Sequence, residues 1–301
     1  MAMSMGTGAG IEESEGMVRL VPGALQRPAS PLTVGALNRQ LLADFPAADA
    51  EPWDRTGMTA GDPAQLVRKV AFALDPTVEA IAAAADGGAN VLITHHPLYL
   101  SAPDSFAPAT SVAASPGAGV WCAVERGVAV LSFHTALDVS PRAQRVLPGL
   151  LGLAFQRVLQ PLPDTVEKGY GQLCDFGDGP MLTLGQLSAR CTSVFGRAPR
   201  VWGDMGRGLE RVVTCTGSLA DTGRAALRAQ ADCVVCGEAK YHEALDLSQA
   251  GLDIIELGHD ASELPLVPVL MAAVSALGVP EDAMFVVNQS HNWSYPEAVR
   301  V

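Results

Sequence analysis

VRKVAFALDPTVEAIAAAADGGANVLITHH, residues 67–96, joins two kinds of sequence pattern and thereby indicates the class of fold. The segment 67–74 is a short apolar run that predicts a strand, and a second apolar run at 90–94 predicts another. Between them, the segment 76–88 begins with proline and ends with glycines, which is the usual polarity of a helix. A strand, a helix and a strand in this order predict an α/β fold.

The same order of elements recurs along the chain. Further apolar runs predict strands at 128–133, 211–217, 232–236, 252–257 and 283–287, and helical spacing predicts helices at 31–45, 219–231, 238–251 and 262–278. The stretch LERVVTCTGSLADTGRAALRAQADCVVCGEAKYH (209–242) repeats the plan of 67–96, with a basic residue, a strand, an alanine-rich helix, a strand and a polar cluster. We therefore predict an α/β protein with two lobes related by internal duplication, in which mixed, mostly parallel sheets are flanked by helices.

Changes in composition along the chain predict four segments. These are a flexible N-terminal tail at 1–30, an α/β lobe at 31–150, a connecting α/β segment at 151–209 and a second α/β lobe at 210–301. The tail is rich in Gly, Ser, Met and Glu and has no periodicity. The connecting segment reads as strand, helix and strand at 170–204, which could belong to either lobe. Residues 101–119 are rich in Pro, Ala and Ser, which predicts a mobile loop or lid.

Composition restricts the class of partner. The chain has 301 residues, of which 49% are hydrophobic and 17% charged, and its net charge is −12. An acidic protein is poorly suited to the phosphate backbone, so direct nucleic-acid binding is not expected and small molecules or proteins are the expected partners. The six dispersed cysteines and the lack of a signal-like N-terminal pattern favour a cytoplasmic setting. No apolar run reaches the roughly 18 residues that a membrane span requires, so we expect no membrane association.

Polar side chains gather just beyond three of the predicted strands. HHPL follows the strand 90–94, HTALD follows 128–133 and GHDASE follows 252–257. In open α/β sheets, ligands bind in the crevice outside the carboxyl ends of the strands, so we expect the three groups to meet. The residues brought to that edge would be His95, His96, His134, Asp138, His259 and Glu263.

Imidazole and carboxylate groups without a thiolate suit a divalent metal such as Zn, Mn, Fe, Co or Ni. Adjacent side chains on an extended chain point apart, so His95 and His96 are best explained if each serves a different ion. A carboxylate that bridges the ions would complete a two-metal hydrolytic centre, where a water becomes acidic enough to attack at neutral pH. We therefore expect two divalent metal ions per chain.

Three of these residues also have simpler explanations. His134 could lie behind the ligands or be a structural residue at the end of a strand. Asp138 could be an ordinary loop acid. Glu263 is predicted to lie in the first turn of a helix with Ser262 as N-cap, where the helix dipole alone favours an acid.

Another polar group follows the predicted strand 232–236. Glu238 and His242 are four residues apart at the predicted start of a helix, so they share a face. They are either a surface pair or residues that line the same cleft and touch substrate, and Lys240 could contact an anion or be solvated. The spacing of CVVC (233–236) is that of a redox or zinc pair, but its position inside an apolar strand favours a structural role.

The motifs LITHHPL, HTALD, GEAKYHEALD and GHDASE, with WDRTGM upstream, have an order and spacing that resembles the Nif-three-like family. Members of this family, named for an NGG-one-interacting factor, are often called GTP cyclohydrolase type 2 homologs, and the resemblance covers most of residues 31–290. It implies a two-lobed α/β molecule with an internal duplication, assembled as a toroidal hexamer with dinuclear metal sites facing the interior. The metal ligands that it implies are His95, His96, Asp138, His259 and Glu263, and it places His134 next to them rather than among them.

Two positions depart from the pattern of the family. Ala136 occupies the position at which the family usually has asparagine, in HTNLD, and Asp260 lies where an aromatic residue is common. Neither change removes an implied ligand, so we expect both to affect the shape of the substrate pocket.

These residues are consistent with two functions. The first is a metal-dependent hydrolase of a small molecule, possible substrates being a nucleotide, as in a GTP cyclohydrolase, or another phosphoester, with His134, Glu238 or His242 transferring protons. The alternative is a non-catalytic, hexameric metal-binding protein with a regulatory or interaction role. The ligand set alone does not discriminate between the two.

Overall fold

Two β-sheets with helices on their faces make up the part of the chain that the structure describes. The computed structural model describes residues 31–110, 116–289 and 292–293, so the predicted tail at 1–30 lies outside it. The strands are β1 (Gly57–Ala60), β2 (Val70–Ala73), β3 (Val91–Thr94), β4 (Ala129–Ser132), β5 (Ala154–Pro161), β6 (Gly169–Asp175), β7 (Arg200–Trp202), β8 (Val212–Thr214), β9 (Cys233–Cys236), β10 (Asp253–Glu256) and β11 (Met284–Val286). The helices are α1 (Val34–Asp44), α2 (Val78–Asp86), α3 (Pro116–Arg126), α4 (Thr135–Asp138), α5 (Val146–Leu151), α6 (Leu184–Phe195), α7 (Thr222–Arg228), α8 (Tyr241–Gln249), α9 (His259–Glu263) and α10 (Val267–Ala276). Short 3-10 helices lie at Ala47–Asp49, Ala143–Arg145, Leu264–Leu266 and Glu281–Ala283.

Both sheets are mixed and have a parallel centre. The first sheet has the strand order β1-β4-β3-β2-β11, in which only β1 runs antiparallel to its neighbour. The second has the order β5-β6-β8-β9-β10-β7, with β8, β9 and β10 parallel and the outer strands antiparallel. The predicted fold class is therefore confirmed.

The internal duplication extends further than the sequence pattern indicated. The succession α1-β1-β2-α2-β3-α3-β4 in the first sheet is repeated as α6-β7-β8-α7-β9-α8-β10 in the second. In both copies the first strand pairs antiparallel with the last. Each copy ends with a strand that is followed by a short helix containing an acid, α4 after β4 and α9 after β10.

Helices cover both faces of the first sheet, which explains its apolar strands. All four residues of β2 are buried. Phe72 packs into the cluster that contains Leu37 of α1 and Leu270 of α10, whereas Ala71 packs into the cluster that contains Ile81 of α2. Successive side chains of a strand point to opposite faces, so a strand covered on both sides needs a continuous apolar run.

Two strands lacked a clear signal in the sequence. β1 begins inside EPWDRTGM (51–58), a stretch that indicated only a turn, and it has just four residues, of which the first is a glycine. β5 lies at the edge of the second sheet and is partly exposed, so its sequence AFQRVLQP shows no continuous apolar run. Within the predicted loop 101–119, helix α3 begins at Pro116, and residues 111–115 lie outside the described residues.

The sheets divide the chain differently from the predicted segments. β5, β6 and β7, from the predicted connecting segment 151–209, belong to the second sheet. β11, from the predicted second lobe 210–301, pairs in parallel with β2 of the first sheet. The chain therefore returns to its first sheet after it has completed the second. Among the described helices, none is long and apolar enough to cross a bilayer.

Candidate metal centre

Loops at the carboxyl ends of β3, β4 and β10 carry the polar residues that the sequence predicted to meet. His95 and His96 follow β3 directly, Asp138 is the last residue of α4, and His259 and Glu263 begin and end α9. The structure brings these five side chains together between the two sheets. The first sheet contributes the histidine pair and Asp138, and the second contributes the other two residues.

The prediction that Ser262 caps a helix is wrong, because the chain enters the helix earlier. Gly258 adopts φ 99°, which lets α9 begin at His259 and places Glu263 in its last position. The Ser262 hydroxyl instead donates to the His259 carbonyl (2.8 Å) and accepts from the Gly217 N–H (2.8 Å). These bonds fix α9 against the loop after β8.

His95 is fully buried, and its tautomer follows from its neighbours. Its Nδ1 lies 3.1 Å from the Phe133 carbonyl, which can only accept, so Nδ1 carries the proton and Nε2 offers a lone pair. That Nε2 lies 3.6 Å from Asp138 Oδ1 and 3.6 Å from Glu263 Oε1. In the neutral ring, three electron-rich atoms therefore face one point, an arrangement that requires a cation.

His96 and His259 repeat this arrangement on the other oxygen of Glu263. The Nδ1 atoms lie 2.7 Å from Asp75 Oδ1 for His96 and 3.1 Å from Glu238 Oε1 for His259. The Nε2 atoms lie 3.0 Å and 3.2 Å, respectively, from Glu263 Oε2. A carboxylate behind one ring nitrogen is the usual way to orient a histidine whose other nitrogen binds metal.

The buried atoms at the centre are close to one another without forming aligned hydrogen bonds. His95 Nε2 and Glu263 Oε2 are both buried, and neither has a hydrogen-bond partner of acceptable geometry. The ion-pair distances of 3.0–3.6 Å thus reflect proximity alone. Atoms that bind one ion at about 2.0–2.2 Å are separated by similar distances, so the donor set fits divalent metal.

Three groups of ligand atoms have the spacing of a metal site, with all atoms of a group within 4.8 Å of one another. The groups are His95, Asp138 and Glu263; His96, His259 and Glu263; and His95, His96 and His134. The first two share Glu263, one carboxylate oxygen facing each group. Glu263 is therefore common to two groups of side chains that could hold a metal ion.

The electrostatics of the centre favour positive charge. Burial lowers the pKa of His96, but Asp75 and Glu263 outweigh it and raise that pKa to about 10. The nearby carboxylate of Glu263 raises the pKa of His259 to about 9, against the effect of burial. Burial would raise the pKa of Glu263, yet the histidines hold it well below its usual value. Such a cluster attracts cations, either protons or metal ions.

His134 lies beside the group and is oriented from behind. Its Nδ1 is 3.1 Å from Asp54 Oδ1, and the other oxygen of Asp54 accepts the Thr135 N–H (3.0 Å). The His134 ring centroid lies 5.2 Å from that of His95, and the Trp53 ring stands edge-on at 5.7 Å. His134 therefore presents its free ring nitrogen close to the predicted ligands.

The polar residues that follow β9 do not lie together in the structure. Glu238 precedes α8, which begins at Tyr241, so it does not share a helical face with His242 as predicted. Glu238 reaches the centre through His259, whereas the exposed His242 packs edge-on against the Tyr241 ring. Lys240 is exposed. The cysteines of CVVC are buried within β9, and burial raises their pKa values well above the usual range.

Asp54 and Asp75 were missed by sequence reasoning. Asp75 lies just beyond β2, so the rule that selected the other strand ends would have found it. Asp54 precedes the unpredicted strand β1 and reaches His134 because β1 pairs with β4. Its only signal was the motif WDRTGM.

Two cavities open onto the centre. One, of about 620 Å³, is called here the front cavity; it is lined by His134, Asp138, His259 and Glu263 and by residues that include Glu51, Trp53, Gln160, Tyr170, Thr216 and Asp221. The other, of about 820 Å³, is called the rear cavity and is bordered by His96, His259, Arg197 and Trp293 among others. The centre is therefore accessible to small molecules.

Comparison with known families gives a match across the described chain. The model of the family Duf34/NIF3 (NGG1p interacting factor 3) matches residues 32–292. A protein of Streptomyces coelicolor named GTP cyclohydrolase 1 type 2 homolog is 33% identical over 237 residues, which are 75% of this chain and 79% of that protein.

Solved structures share the fold at lower sequence identity. A Bacillus cereus protein related to NIF3 has a TM-score of 0.76 at 19% identity, covering 89% of this chain and 100% of that one. A hypothetical protein of Staphylococcus aureus has a TM-score of 0.75 at 22% identity, with the same coverage.

Proposed function

Because this chain belongs to the Duf34/NIF3 family, we propose that it binds two divalent metal ions and is a metal-dependent hydrolase of a small molecule. The observation that carries the proposal is the position of Glu263. This buried carboxylate has His95 at one oxygen and His96 and His259 at the other. A structural ion pair would not need three imidazoles around a single acid.

The proposed ligands divide into two sets. His95, Asp138 and Glu263 would hold one ion, and His96, His259 and Glu263 the other. Two divalent ions bound there would supply Lewis acidity and lower the pKa of a bound water, which is the chemistry of two-metal hydrolases. Asp75 and Glu238 orient the rings of His96 and His259 through Nδ1.

His134 is the proposed proton carrier. Asp54 accepts the Nδ1 proton, so Nε2 of the neutral ring is free to take a proton from a reacting group and return it. His134 lines the front cavity, as a group that contacts substrate must. Glu238, the second predicted candidate, acts through His259, and His242 has no contact with the centre among the described residues.

The front cavity supports a catalytic role over a purely structural one. A cavity of about 620 Å³ is within the range of small-molecule sites and opens directly on the proposed ligands. The names of the relatives suggest ring opening of GTP, and hydrolysis of another cyclic amide or of a phosphoester would use the same centre. We also propose, from the family resemblance, a cytoplasmic protein that assembles as a hexamer.

The decisive experiment is metal analysis by mass spectrometry of protein purified without chelator. We expect about two equivalents per chain in the wild type and a loss of metal in the His95→Ala/His96→Ala double variant. His242→Ala is the matched control, since it removes an exposed histidine away from the centre. Absence of stoichiometric metal from the wild type would refute the proposal.

A subsequent screen of nucleotides, nucleosides and phosphoesters tests the hydrolase activity. Turnover that is lost in His134→Ala while metal is retained would support the catalytic role. Two equivalents of metal with no turnover of any substrate would instead favour the alternative, a non-catalytic metal-binding protein with a regulatory role.

A further inference from the structure

The front cavity is acidic, which restricts the charge of its ligand. Its described lining contains four carboxylates, those of Glu51, Asp138, Asp221 and Glu263. The same lining contains neither lysine nor arginine. Asp138 and Glu263 are proposed metal ligands and would be neutralised by the ions. Glu51 and Asp221 lie outside the proposed ligand sets and make the remainder of the cavity negative.

The rear cavity does not supply the missing positive charge. Among the described residues that line the rear cavity, Arg197 is the only lysine or arginine. Its guanidinium is already hydrogen-bonded within the protein. Its Nη2 lies 2.6 Å and its Nη1 3.2 Å from the carboxylate oxygens of Asp260, and Nε donates to the Leu257 carbonyl (2.9 Å). The Trp293 ring lies 4.8 Å from this guanidinium. Arg197 therefore stabilises the wall rather than offering a site for phosphate.

The uncharged part of the front cavity suits a planar, hydrogen-bonding ring. Trp53 is 53% exposed although it stands beside His134, so one large aromatic surface remains open to a ligand. Gln160 uses its carbonyl oxygen to accept from Thr222 Oγ1 (3.0 Å), and its amide N–H groups have no hydrogen-bond partner within the described part of the chain.

We propose that the front cavity binds an uncharged or cationic planar heterocycle, with at most one anionic group directed at the metal centre, and disfavours nucleoside triphosphates. The reason is that the outer phosphates would meet Glu51 and Asp221 without a cation to pair with them. The proposal rests on the proposed function, because it assigns the substrate class of the same site.

The test compares binding of the four ribonucleosides with binding of their magnesium-saturated triphosphates to metal-loaded protein by calorimetry. Each pair keeps the ring constant and changes only the phosphates. We expect at least one nucleoside to bind about tenfold or more tightly than its triphosphate. Tighter binding of the triphosphates, or no binding of any nucleoside, would overturn the proposal.

Variants that change one charge test whether the selectivity against triphosphates arises in the front cavity. Asp221→Lys should strengthen triphosphate binding by about fivefold and leave nucleoside binding unchanged. Glu125→Lys, in the exposed helix α3, changes net charge equally and should have no effect. Trp53→Ala should weaken nucleoside binding by about fivefold or more if the ring stacks there. Equal effects of both lysine variants would mean that net charge, not the cavity, determines selectivity, and the proposal would fail.

Metal content measured in the same samples separates this inference from the proposed function. If the wild type holds no metal, the proposed function fails. If it holds two equivalents and prefers triphosphates, the metal centre stands and only the assigned substrate class is wrong.

Discussion

At the scale of single residues, Glu263 is the side chain on which the proposed metal centre most depends. It is the only one of the five predicted ligands that faces both proposed ions, and the other four approach it from two sheets. Its burial would be unfavourable for an unpaired charge, and the surrounding imidazoles, together with the proposed metal ions, would compensate that charge. Removing its charge should therefore affect metal more than fold.

We expect Glu263→Gln to lose at least one metal equivalent while the protein remains folded. Glutamine keeps the size of the side chain and removes the negative charge that a bridging ligand supplies. Metal analysis beside circular dichroism would check both parts. Full retention of two equivalents would exclude Glu263 from the site.

The cysteines should be unreactive in the folded protein at neutral pH. Burial raises the pKa values of Cys174 and Cys191 to about 12, and the thiolate is the reactive form. A disulfide-exchange reagent should therefore react slowly at pH 8, faster as the pH approaches 12, and rapidly after unfolding in urea. Rapid modification of Cys233 or Cys236 in the native protein at pH 8, located by mass spectrometry, would contradict the predicted structural role of CVVC.

At the scale of elements, apolar runs were sufficient to predict most strands and the meeting of their carboxyl ends. The five proposed ligands could be selected because all of them follow such runs within a few residues. Asp54 could not be selected, since it meets His134 through pairing of β1 with β4, about 80 positions apart. The cavities also arise from packing between sheets, for which no local pattern exists.

The loop after β8 approaches the centre closely enough to require glycine. Gly217 adopts φ 59°, and a Cβ atom there would collide with Glu263 Oε1. We expect Gly217→Ala to reduce metal content, because the carboxylate must move. Gly127→Ala is the matched control: Gly127 has φ 65° and open space around the added carbon, so backbone strain is similar and metal should be retained. Equal metal loss in both variants would point to strain alone.

At the scale of the whole molecule, the proposed centre joins the two sheets. His95, His96 and Asp138 belong to loops of the first sheet, and His259 and Glu263 belong to a helix that follows the second. A metal bound by both sets would stabilise the arrangement of one sheet on the other. Metal binding should therefore be coupled to the stability of the entire fold.

Removal of metal by a chelator should lower the thermal midpoint of unfolding. The decrease should be on the order of 5 °C or more if the free metal concentration before chelation is well above the Kd. A single transition is expected while metal is bound, because the proposed ligands come from both sheets. The His95→Ala/His96→Ala variant should show the lower midpoint from the outset and no response to chelator. An unchanged wild-type midpoint would mean that metal does not join the sheets.

The return of β11 to the first sheet has a consequence for biosynthesis. Until this strand has been translated, β2 keeps one edge of backbone N–H and C=O groups without a partner, while the second sheet has all of its strands. Nascent chains of this topology thus expose an unpaired strand edge for most of their synthesis. Unpaired strand edges promote association between polypeptides. Efficient production should depend on chaperones that shield β2 until β11 arrives.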